Sequence, residues 1–133
     1  MNTTTIRFLK AGMAYLLLGG FLGMLLSLPV TRDALYVSHP GARWGLAHAH
    51  IGLTGFVMMI SFGIAYHILP RCAGKPLHSE GWAVAHFWLA TPATAAMAIG
   101  FTHDFAAPLL WAGGAAQFAG IVLGVVNLWW TIR

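Results

Sequence analysis

Apolar residues run along this chain in four long blocks separated by short polar breaks. Phe8 to Leu28, Leu46 to Leu69, Gly81 to Phe101 and Ala107 to Ile132 each hold about 20 residues or more, and about 20 residues rising 1.5 Å apiece cross the hydrocarbon layer of a bilayer. In lipid every backbone N–H and C=O needs an internal partner, so blocks of this length are helices. The pattern predicts an all-α, integral membrane four-helix bundle occupying residues 1–133 as a single domain. Arg7 and Lys10 precede the first block as they would a secretory signal. That block is longer than a signal core, however, and Leu26-Ser27-Leu28-Pro29 lacks a small-x-small cleavage pattern, so a retained anchor is expected.

Composition and charge sharpen this picture. With 59% hydrophobic and 8% charged residues the chain is no ordinary water-soluble domain. Arg7, Lys10, Arg71, Lys75 and Arg133 fall on one side of a four-span layout, against Arg32 and Arg43 on the other, which predicts that both termini are cytoplasmic. The formal net charge of +4 is therefore a topology signal, and the scattered basic residues, with no aromatic groove between them, argue against nucleic acid. Trp44, Trp82, Trp111, Trp129 and Trp130 lie near predicted helix ends, where amphipathic rings belong, and only Trp88 lies deeper. The single cysteine, Cys72, excludes an intrachain disulfide; pairing it with His78 on a metal would need two more ligands, so a spectator thiol is expected.

Small residues mark packing faces. Gly19, Gly23 and Ser27 on the first helix, and Ala112, Ala116, Gly120 and Gly124 on the fourth, recur every fourth residue and allow close helix approach, within the chain or between chains. Gln117 and Asn127 are expected to be interhelical hydrogen-bond partners.

Candidate chemistry centres on His48 and His50, two imidazoles inside an otherwise apolar block where lipid penalises polarity. On a regular helix they point roughly 200° apart and differ by only about 3 Å in height, so one helix can serve two clefts. Sorted by depth, His39, His48, His50 and His103 form an outer group and His67, His78 and His86 an inner one. His50 and His86 then differ by about 15 Å along the membrane normal, too much for one iron within one chain. His103, beside Asp104, reads as a surface group. His86, expected near Trp82 and Trp88, has three readings: an interhelical hydrogen bond, an inner metal or haem site with His67, or a proton path. His39, His67, His78 and His103 each read first as hydrogen-bonded interfacial side chains.

The His48-x-His50 pair, with Gly63-x-x-Tyr66-x-x-Leu69-Pro70 closing the same helix, resembles the haem-binding helices of subunit I of the haem-copper oxidase and nitric oxide reductase superfamily. The closest likeness is to small four-helix proteins of its cbb3 and nitric oxide reductase branches. The resemblance implies one arc of a fold that the large subunits build from three. It implies haem b as cofactor, with His50 matching the low-spin haem ligand and His48 the histidine that faces a neighbouring haem. Since haem in that family bridges second helices of different arcs, it also implies a homo-oligomer, a trimer first and a dimer second, in a bacterial cytoplasmic (inner) membrane. The redox partner, a protein or a quinone, stays open. Arg43, about a turn outside His48, is placed to meet haem propionates, with Arg32 second. Ala47, Ala49, Gly52 and Gly55 would leave room for the macrocycle; Met13, Met24, Met58, Met59 and Met97 read first as packing.

The function expected on this basis is electron transfer or binding of a diatomic gas, oxygen or nitric oxide. A haem with two imidazoles has no open position, whereas one held from a single side can take a gas. Two other classes remain. Reduction of oxygen or nitric oxide would need a second metal, such as copper, with His39 and His103 standing in for the family's missing His-His pair. Transport would use the histidines, His48 or His86 above all, as a proton or divalent-metal path. No Gly-rich phosphate loop or Ser-His-Asp arrangement supports nucleotide or hydrolase chemistry.

Overall fold

The computed structural model describes residues 2–103 and 107–133, so Asp104 lies outside the described residues. Within them the chain forms α1 (Thr3–Ser27), α2 (Pro29–Ser38), α3 (Trp44–Cys72), α4 (Glu80–Thr102) and α5 (Ala107–Ile132). Four of these, α1, α3, α4 and α5, are long and apolar enough to cross a membrane, as the four blocks predict. The protein is an all-helical integral membrane protein.

Local chemistry sets the ends of these helices. Asn2 caps α1 by accepting from the Thr5 N–H at 2.9 Å, and Ser79 caps α4 by accepting from the Trp82 N–H at 3.2 Å. Helix α1 stops at Leu28, which turns extended (φ −90°, ψ 120°) ahead of Pro29. Proline lacks an N–H to continue α1 yet suits the first turn of a new helix, and so it opens α2. The four-block reading does not contain α2, a ten-residue helix too short to span. Its exposed Val30 and Val37, next to Arg32 and Asp33, suit a helix lying along a membrane surface.

Helix α3 is not uniform. Residues Ile51–Val57 are wound as a π-helix, beginning immediately after His50. Thr54 donates from Oγ1 to the His50 carbonyl at 2.7 Å, giving that oxygen a side-chain partner at the start of the wider turn. Such segments are rare and re-aim the side chains that flank them. Here Gly55 is brought against the Tyr15 ring on α1, where a Cβ would lie 2.5 Å from Tyr15 Cγ.

The spans pack as an open arc. Helix α1 lies along α3, α3 meets α4 over Trp44–Val57 and α5 over Met58–Cys72, and α4 lies along α5, whereas α1 and α5 share no extended face among the described residues. Both termini sit at one end. Asn2 donates to Glu80 there at 2.9 and 3.0 Å, and Thr131 near the carboxyl terminus accepts from the His78 N–H at 2.9 Å. That end is also where the core is densest, built from Phe8, Met59, Tyr66, Ala83, Phe87, Ala90 and Leu128. Asn127, fully buried, accepts from the Ser79 N–H at 2.9 Å and donates to the Ser79 carbonyl at 2.8 Å, an interhelical role the sequence predicts. Gln117 is buried too, but its Oε1 has no hydrogen-bond partner.

Four glycines of the small-residue stripes serve packing within the chain. Gly19 and Gly23 on α1 receive Ile51 and His48 of α3, and Gly120 and Gly124 on α5 receive His86 of α4. Trp111, Trp129 and Trp130 are exposed near helix ends, as an aromatic belt requires, and Trp88 is exposed partway along α4.

Candidate functional site

His48 and His50 leave α3 on different sides, as helical geometry predicts. The His48 ring turns to α1, where its Nδ1 donates to the Gly19 carbonyl at 3.1 Å and its Cε1 lies 2.8 Å from where a Cβ on Gly23 would stand. The His50 ring turns to the end of α4 and lies 4.7 Å from the Phe101 ring, centroid to centroid, at 46°. Its Nδ1 donates to the Leu46 carbonyl one turn back at 2.9 Å. A carbonyl can only accept, so in both rings the proton sits on Nδ1 and the lone pair on Nε2. This is the tautomer that a metal-binding imidazole held by a backbone carbonyl presents.

The surroundings divide the residues expected to make room for a flat group. Ala47 is buried and Gly55 is filled by Tyr15, so neither faces open space. Ala49 is exposed, and a Cβ on Gly52 or Gly45 would meet no atom within 4 Å. Leu46, Leu53 and Val57 are exposed apolar side chains on the same helix. Arg43 is exposed, and its backbone ties the two helices, donating to the Phe101 carbonyl at 2.7 Å and accepting from the N–H groups of Leu46 and Ala47. Arg32 is instead paired with Asp33 at 3.0 Å. A haem fits this surface in the chemistry of its donors and in its apolar, glycine-relieved wall, but one protomer supplies a wall rather than an enclosure.

His86 lies elsewhere. It is 1% exposed, bonded through Nδ1 to the Tyr66 hydroxyl at 2.9 Å, and boxed by the rings of Phe8 at 5.0 Å and Phe62 at 4.4 Å. Trp82 and Trp88, its expected neighbours, face other partners, His78 and Phe87. Of its three sequence readings, the interhelical hydrogen bond is the one seen. Tyr66 follows His50 by sixteen positions, about 24 Å along a helix, which leaves His86 far from His50 in depth. His67 and Arg71 bond one another within α3, and His78 lies between the rings of Trp82 and Trp130. Cys72 is free and exposed.

At the end that carries His50, His103 meets His39 rather than His50. Their ring centroids are 5.3 Å apart at 75°, and Trp44 packs edge-on against His39 at 5.7 Å. The sequence put both in one depth group and offered them together only as stand-ins for a His-His pair in the catalytic alternative; for their ring contact the signal was only their position at two helix ends. The π segment and the Tyr66–His86 bond were likewise missed, although Tyr66 stood in the motif that closes α3.

The fold and its imidazoles define a membrane-embedded helical arc with paired histidines near one end of its second span. The chain belongs to the family described as Cytochrome C and Quinol oxidase polypeptide I, whose pattern matches residues 1–130. It is 30% identical over 158 aligned positions to the cbb3-type cytochrome c oxidase subunit CcoN1 of Stutzerimonas stutzeri, covering 96% of this chain and 32% of that protein. It is also 30% identical over 87 positions to cytochrome c oxidase subunit 1 of Rhodobacter capsulatus, covering 65% of this chain and 16% of the relative. A homologue of that subunit in Agrobacterium tumefaciens strain T37 matches at 29% over the same length, 65% of this chain and 15% of the relative. The chain thus spans about a third, or less, of the curated relatives it matches.

Proposed function

We propose that this chain is a haem b protein of a bacterial cytoplasmic membrane, acting in electron transfer or in binding oxygen or nitric oxide. His50 is the principal iron ligand, His48 serves a second cleft on the other side of α3, and Arg43 meets the propionates. The observation that carries this reading is the Leu46 carbonyl on His50 Nδ1, which fixes the ring and leaves the basic nitrogen, Nε2, for a metal. Bound haem would supply a one-electron redox couple; the protein holds the ring against Phe101 and keeps its tautomer.

One protomer offers a single wall, so the opposite wall comes from another copy. By analogy with the three arcs of the large subunits, a trimer is the first choice and a dimer the second. Copper belongs to the catalytic alternative, which needs a second metal beside an open haem.

Optical spectra of the purified protein test this, taken oxidised, reduced, and reduced with carbon monoxide. A b-type spectrum is expected, with haem retention strongly reduced in His50→Ala and unchanged in His78→Ala. Equal haem content in the two variants overturns the ligand assignment. A carbon monoxide response places the protein among gas binders, and its absence among electron carriers.

A further inference from the structure

Arg7 and Lys10 on α1 are cations for which the chain supplies no anion. The whole sequence holds three carboxylates, Asp33, Asp104 and Glu80. Asp33 is paired with Arg32 on α2, beyond the far end of α1. Asp104 follows α4 in sequence, past the helix end that meets Arg43. Glu80 is engaged by Asn2. Among the described residues neither Arg7 nor Lys10 makes an ion pair.

Their position gives that imbalance a consequence. Phe8, next to Arg7, is fully buried against α3 and α4, so Arg7 and Lys10 turn outward together and are exposed. Lys10 comes seven residues after Thr3, where α1 begins, about 10 Å along the helix. Helix α1 is about 37 Å long and the hydrocarbon layer about 30 Å thick, so the backbone at Lys10 lies below the headgroups. Helical side chains lean toward the amino terminus, which carries both charges back to headgroup level while their stems stay in the apolar layer.

The same face continues as an apolar seam. Ala14, Leu17, Phe21 and Met24 follow Arg7 and Lys10 in alternating steps of four and three, and all are exposed. That spacing also suits the helix of a second copy. A second copy, however, brings the same cations and no free carboxylate, and like charges at low dielectric repel. A phospholipid with an anionic headgroup matches both parts of the face.

We infer that the outer face of α1 binds an anionic phospholipid, its phosphate held between Arg7 and Lys10 and an acyl chain lying on Leu17 and Phe21. Residues three apart on a helix have Cβ atoms about 5–6 Å apart, so both side chains reach one phosphate. The guanidinium offers it paired N–H donors and the ammonium a point charge. Neither residue belongs to the set around His50, so the site stands whether or not haem is bound.

The test is native mass spectrometry of the full chain, purified in mild detergent and supplied with equal amounts of phosphatidylglycerol and phosphatidylcholine. One phosphatidylglycerol retained per protomer is expected. Arg7→Gln and Lys10→Gln should each lower the preference for phosphatidylglycerol about fivefold, and the double variant about twenty-five-fold. Lys10→Arg, which keeps the charge, should keep the preference, and so should Lys75→Gln, an exposed cation of the loop after α3. Equal retention of the two lipids by the parent overturns the proposal, as does an unchanged preference in the double variant. A loss in Lys75→Gln equal to that in Lys10→Gln overturns it in favour of a diffuse surface charge. Displacement of the lipid by inorganic phosphate overturns it in favour of a free anion, and disulfide formation between copies of Leu17→Cys in membranes overturns it in favour of a second copy.

Discussion

Two glycines on α5 give the residue scale its sharpest contrast. A Cβ on Gly124 would stand 2.6 Å from His86 Cε1 and Nδ1 and 2.8 Å from Phe62, whereas one on Gly114 would meet nothing within 4 Å. Gly124→Ala should therefore destabilise the protein by about 1–3 kcal/mol through overpacking, and Gly114→Ala should be near neutral or slightly stabilising. Thermal unfolding in detergent reads the difference, and equal midpoints would deny the packing of His86 on α5. Tyr66→Phe removes the hydroxyl that His86 Nδ1 faces. Leaving that buried nitrogen unpaired should cost about 1–3 kcal/mol in the same assay, whereas Tyr36→Phe, at an exposed position, should cost little.

At the scale of elements, the start of α4 depends on α5. Asn127 both accepts from and donates to the backbone of Ser79, the residue whose own side chain caps α4. Asn127→Leu should strip two partners from a half-buried helix terminus and lower stability by about 1–3 kcal/mol, more than Ser79→Ala, which removes only the cap. Reversible unfolding in mixed micelles ranks the two, and a smaller effect for Asn127 would contradict the geometry. The π turns of α3 are the other feature of this scale. They begin one residue after His50 and bring Gly55 against Tyr15, so the stretch that follows the paired histidines is also the stretch that seats α3 on α1.

For the whole molecule, the arc is packed tightly at the end holding the termini and presents its paired histidines near the other. Cys72 reports which end faces which compartment. It is exposed at the end of α3 that lies far from His50, and the distribution of Lys and Arg predicts a cytoplasmic position for it. A membrane-impermeant maleimide should label Cys72 in inverted vesicles and not in right-side-out spheroplasts; the reverse pattern would invert the topology. Native mass spectrometry in mild detergent should give a trimer carrying haem, and a haem-loaded monomer would remove the shared-wall arrangement.

Much of this was written in the chain itself. The four spans follow from apolar blocks long enough to cross a bilayer, because lipid offers the backbone no other partners. The opposed directions of His48 and His50 follow from helical pitch alone, and Asn127 announced an interhelical bond by being polar among apolar neighbours. The fold settled what depends on residues distant in sequence. His39 and His103 meet only once the loop after α2 is tied to the last turn of α4. His86 could not be separated from a ligand or a proton carrier until Tyr66, Phe8, Phe62 and two glycines of α5 were seen around it. Periodicity and burial act along one helix and are legible there; pairing between helices depends on how the arc closes, and no local pattern encodes that.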